Sequence, residues 1–122
     1  MAEPNKINLA DAFARFRDHR SPKIVGELND SHVKLVKLQG EFVWRHRNIE
    51  EELFLVVRGR LQMRLRDRDV WLDPGEFTIA SRGAEHMPVA PRECEILLLE
   101  PKTTLNTGNV INERTVAELE RL

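Results

Sequence analysis

Turn signals break this chain every 8–12 residues or so, over roughly seventy residues, and that rhythm restricts it to a β-sandwich or closed barrel. Asn29-Asp30-Ser31, Gly59, Asp67-Arg68-Asp69, Asp73-Pro74-Gly75, Ser81-Arg82-Gly83 and Pro91-Arg92-Glu93 are the punctuation. Between them lie short apolar runs. Leu61, Met63 and Leu65 alternate with Gln62, Arg64 and Arg66, the cleanest half-buried strand in the sequence. Further strands are expected over 23–27, 32–38, 41–47, 52–58, 70–72, 77–80, 86–90 and 95–100. Pro88 lacks the N–H a ladder needs and belongs at an edge or bulge. Residues 95–100 are apolar on both faces, as in a strand covered on both sides.

The ends differ from this pattern. Asn8 is placed to cap a helix over Leu9–Phe16, with Leu9, Phe13 and Phe16 on one face. Residues 115–122 are expected as a short helical tail, with Val116 and Leu119 on one face. The expected architecture is all-β with a short N-terminal helix and this tail: one domain over 1–122, with its barrel core at about 23–101.

The formal net charge is -1. No global field draws nucleic acid or a membrane surface, and neither is expected as a partner. The first residues contain no apolar run resembling a signal peptide. One cysteine, Cys94, excludes an intrachain disulfide and suits a reducing cytoplasm, the expected compartment. Cys94 reads as a packed thiol, and Trp44 and Trp71 as core or interface residues rather than a ligand platform.

Strand alternation puts residues 43, 45 and 47 on one face and 42, 44 and 46 on the other. In a small barrel one of those faces lines the interior. The run Gly40-Glu41-Phe42-Val43-Trp44-Arg45-His46-Arg47 leads through Glu50-Glu51-Glu52 to Gly59. About thirty residues on, Gly75-Glu76-Phe77 leads to Glu85-His86.

Together these two stretches resemble the paired motifs of the cupin superfamily, in particular its small single-domain members. The mannose-6-phosphate-isomerase-like cupins are of this kind. The segments Ile7–Ala10, Ser21–Ile24, Lys34–Trp44 and Glu100–Gly108 look like the same group. The resemblance implies a cupin-type antiparallel β-barrel (a double-stranded β-helix, jelly-roll-like), a homodimer, and a divalent metal held by His-x-His, a carboxylate and a later histidine. On that match Glu52 takes the carboxylate position and His86 the last histidine. Arg45 and Arg47 take the His-x-His positions, and there the chain departs from the family. A guanidinium stays protonated and offers no lone pair to a cation. No metal cofactor is therefore expected in this register.

Two buried guanidiniums need counter-charge. Glu52 can neutralise one and Glu50 or Glu51 can reach the other, and a remaining charge is met by water or by a small anionic molecule through bidentate contacts. The preferred reading is a binding protein for a small organic anion, with Arg45, Arg47, Glu52 and His86 as ligand contacts and a degenerate metal site. Catalysis is not assigned. A shifted register stays open, because Gly40 also precedes His46 by the spacing of a looser cupin pattern. A one-residue bulge would turn His46 inward. In that case His46, Glu52 and His86 would hold a divalent transition metal in an isomerase- or dioxygenase-type enzyme. A structural or regulatory module is the third alternative.

Overall fold

In the computed structural model of the protein, the described residues are 6–41, 51–81, 83–102 and 119–122. They form α1 (Leu9–Phe13) and eight strands. These are β1 (Lys23–Leu28), β2 (Ser31–Glu41), β3 (Glu52–Arg58), β4 (Leu61–Leu65), β5 (Asp69–Leu72), β6 (Phe77–Ala80), β7 (His86–Pro101) and β8 (Glu120–Arg121). The expected all-β architecture is present, and among the described residues the strand ladder is open rather than closed into a ring. Its order is β5-β4-β7-β2-β1-β8, with β3 joining β7 to β6.

Two long strands organise the structure. On one edge, β7 pairs antiparallel with β2 from Ser31↔Pro101 to Glu41↔Val89. On its other edge it changes partner, pairing with β4 through His86–Val89 and with β3 through Glu95–Leu99. The change falls at Pro91–Glu93, read in the sequence as a turn between two strands. No reversal occurs there. The segment forms a bulge against β2, between the pairs Leu38↔Cys94 and Gly40↔Ala90. A bulged strand bends, which lets one strand serve two sheets at a corner. Gly40, at φ +81°, supplies the matching kink on β2.

Burial follows the alternation. Glu52, Phe54 and Val56 of β3 face inward with Leu61 and Met63 of β4 and Cys94, Ile96 and Leu98 of β7. Val36 and Leu38 of β2 join them in the main core. Cys94 is fully buried, which pushes its thiol up to about 12, with Glu95 adding to the effect. It is the packing residue expected. Trp71 is not core: it is 40% exposed and lies under the Arg60 guanidinium, 4.2 Å from its ring centroid.

The outer face of β2 is covered by the N-terminal segment. Leu35 packs with Ala12, Phe13 and Phe16 in a second cluster. Asn8 caps α1 as expected, its Oδ1 accepting from the Asp11 N–H at 3.0 Å. The helix is shorter than the expected 9–16, however, and ends at Phe13. Phe16 is still buried, with Lys37 Nζ 5.1 Å and Lys23 Nζ 5.7 Å from its ring centroid. Lys37 also donates to the Phe16 carbonyl at 2.7 Å. Past Phe13, those lysine contacts hold the chain and make further helical turns unnecessary.

The expected helical tail over 115–122 is corrected at its end. Glu120 and Arg121 form a strand parallel to β1, and Glu27 accepts from Arg121 and Lys102 at 2.9 Å each. The rest of that tail lies outside the described residues. Among the described residues, no helix is long and apolar enough to cross a membrane.

Candidate functional site

The inward face of three strands carries charge at one end of an otherwise apolar interior. Glu52 opens β3 one step before Phe54, and His86 opens β7. Glu100 closes the inward series Cys94, Ile96, Leu98, and Lys34 precedes Val36 and Leu38 on β2. All four are about 1% exposed. Charged side chains buried this far are costly unless paired, so their pairing is the main question.

Lys34 Nζ donates to Glu100 Oε1 at 2.8 Å. The contact spans a diagonal of the ladder, because Lys34 lies across from Leu98 and Glu100 across from His32. Burial, reinforced by the adjacent Glu52 carboxyl, holds the Glu100 carboxyl well above the usual range, while Lys34 pulls it down. Glu52 Oε1 in turn lies 3.6 Å from His86 Nε2. His86 Nδ1 is 3.2 Å from the Ala84 carbonyl, which can only accept, so that nitrogen carries a proton and donates. The ring also stands edge-on to Phe54, centroids 5.8 Å apart. Lys34, Glu100, Glu52 and His86 thus form one continuous buried row from β2 across to the start of β7.

His86 also lines a cavity of about 420 Å³. Met63, Leu65 and Val70 contribute to its wall, and Arg66–Arg68 and the loop before His86 form its rim. That size is ordinary for a small-molecule site.

Of the sequence-derived site residues, the structure brings Glu52 and His86 together. Arg45, His46 and Arg47, on which the choice of register depends, lie outside the described residues. Lys34 and Glu100 were not anticipated. Their parity was visible: each continues the inward series of its strand and is the one charged member of an apolar row. The strand 95–100 was read as apolar on both faces, and that reading overlooked its last residue.

Glu52 and His86 are an oxygen and a nitrogen donor of the kind a divalent transition metal takes, and their 3.6 Å separation lets both reach one ion. Two donors do not complete a set. Among the described residues no three His, Cys, Asp or Glu group as a metal site requires. The Lys34 ammonium, in the same row, adds a positive charge that disfavours a cation. The described residues therefore fit a metal only in part, and any further donor, such as His46, lies outside them.

No protein-family model matches the sequence. A cupin-2 domain containing protein from Shewanella frigidimarina NCIMB 400 is 43% identical, with a TM-score of 0.78, over 79% of this chain and 94% of that one. The chain belongs to the cupin superfamily. A Neisseria meningitidis protein superimposes on this cupin with a TM-score of 0.73 at 22% identity, over 80% of the chain and all of its own length, a likeness of fold. The uncharacterized protein YdbB of Bacillus subtilis is 36% identical over 63 residues. That match spans 51% of this cupin and 56% of the relative, little more than half its length.

Proposed function

We propose that this cupin binds a small organic anion inside its barrel, and that its histidine-poor first motif no longer holds a metal in the family manner. The reading is carried by the buried row Lys34–Glu100–Glu52–His86, which ends at the wall of a 420 Å³ cavity. Buried ion pairs seldom stabilise a fold more than apolar residues of the same shape. A buried carboxyl held above its usual range, as Glu100 is, in one row with a histidine that lines a cavity marks that interior as a candidate binding site. The anion is favoured by Arg45 and Arg47, whose guanidiniums stand in the sequence shortly before Glu52 where the family has histidines, since Lys34 is already paired with Glu100. The proposal includes a homodimer, supported by β6, whose outward Phe77 and Ile79 are 58% and 50% exposed.

Calorimetric titration with small carboxylates and sugar phosphates tests the reading. Binding that is weakened by Arg45→Ala or Arg47→Ala is the expected result. No heat from any of these anions would refute it.

The Glu52–His86 contact favours one second reading, a metal-dependent enzyme completed by His46. Elemental analysis of protein purified without chelator distinguishes the two. Stoichiometric manganese, iron, nickel or zinc would select the enzyme.

A further inference from the structure

The cavity beside His86 is not uniformly polar. Met63 and Leu65 of β4, Val70 of β5 and Ala80 of β6 give it an apolar wall, with Thr78 and Ser81 between them. Its rim carries two cations, Arg66 and Arg68, and two anions, Asp67 and Glu85. Arg66 donates to Glu85 at 2.8 Å, so the charge of that guanidinium is met. Arg68 is exposed and, among the described residues, makes no ion pair. The Leu65 N–H donates to the Arg68 carbonyl at 2.8 Å, closing the β4–β5 turn. Leu65 is itself the ladder partner of His86. The turn therefore fixes Arg68 next to the strand position directly across from His86, with the apolar wall between the two.

We infer that the cavity takes an amphipathic organic acid. Its carboxylate lies on the Arg68 guanidinium, its apolar body lies along Met63, Leu65 and Val70, and its inner end reaches His86. This assignment rests on the anion reading above and places the anion's carboxylate on Arg68 at the rim, in addition to the contacts expected of Arg45 and Arg47. Hydrocarbon leaving water for the apolar part of the wall gains affinity with every methylene, a gain that a sugar phosphate does not make. A planar guanidinium at a rim suits a carboxylate held in a fork.

The test is a calorimetric series of straight-chain carboxylates from acetate to octanoate, with octanol as the uncharged control. Affinity is expected to climb about fourfold for each added methylene until the cavity is full. Arg68→Ala, an exposed substitution that leaves the core untouched, is expected to weaken octanoate about tenfold and leave octanol unchanged. Circular dichroism confirms that the variant is folded. A flat length series, or octanoate binding unaltered in R68A, overturns this assignment and leaves the anion reading standing. No binding by any carboxylate or sugar phosphate overturns both.

Discussion

Removing either end of the Lys34–Glu100 contact should destabilise the cupin unequally, with pH slopes of opposite sign. The two groups are 2.8 Å apart and each is about 1% exposed, so water cannot replace a lost partner. In Glu100→Met the lysine faces burial as a charge or release of its proton. Taking a lysine from its ordinary value near 10.4 to neutral at pH 7 costs about 4–5 kcal/mol, and Glu52 nearby offsets part of that. The expected loss is about 3–4 kcal/mol. In Lys34→Met the carboxyl escapes by keeping a proton. From an ordinary value of 4.5 that costs at most about 3.4 kcal/mol at pH 7. Burial and Glu52 already hold Glu100 well above that value, so much of this cost is present in the wild type. The expected loss is about 1–2 kcal/mol. The pH slopes follow from proton counts. A native state holding a neutral lysine binds fewer protons than the unfolded chain, so the stability of Glu100→Met rises with pH. A native state holding a protonated Glu100 binds more, so the stability of Lys34→Met falls as pH rises above 4.5 toward the folded value. The double variant should be more stable than Glu100→Met alone. Urea unfolding of all three between pH 6 and 9 measures each claim. Equal losses, or slopes of one sign, would refute the reasoning.

Other consequences are simpler to measure. Gly59 sits at φ +90°, and a Cβ there would stand 2.8 Å from the Glu93 carbonyl oxygen. Gly59→Ala should therefore cost more than about 2 kcal/mol in denaturant titration, and a loss under about 0.5 kcal/mol would show that the β3–β4 turn relaxes easily. Cys94, buried with its thiol pushed up to about 12, should resist alkylation at pH 8 in the native protein and react only as fast as the chain opens. Phe77→Glu should convert dimers to monomers in light scattering if the outer face of β6 is the dimer contact. Arg45→His with Arg47→His should add a divalent metal, detected by elemental analysis, if those positions line the barrel beside Glu52 and His86. A folded variant without metal would favour the shifted register.

What the sequence disclosed about this fold followed the strength of its local signals. Turn residues and strict alternation located β3, β4, β5 and β6 to within a residue or so, because each is short and its burial is decided by neighbours close in sequence. The long strand β7 was misread at Pro91–Glu93. Local chemistry there favours a turn, and only the pairing with β2 on one side and the change from β4 to β3 on the other keeps the chain extended. Helix α1 was overextended for a related reason. Phe16 continues the helical spacing, but its place is set by Lys23 and Lys37 from β1 and β2. The candidate site divides along the same line. Glu52 and His86 were found because they stand in recognisable motifs. Lys34 and Glu100 belong to no motif, and each looks like a solvent residue at the end of an apolar strand. They become a pair only when β2 and β7 are laid side by side, in a register that puts Lys34 across from Leu98. A single buried charge is costly, and Lys34 and Glu100 offset each other's cost across the ladder, in one row with Glu52 and His86. The Lys34–Glu100 pair is thus legible only from the strand register, whereas Glu52 and His86 are legible from motif spacing alone.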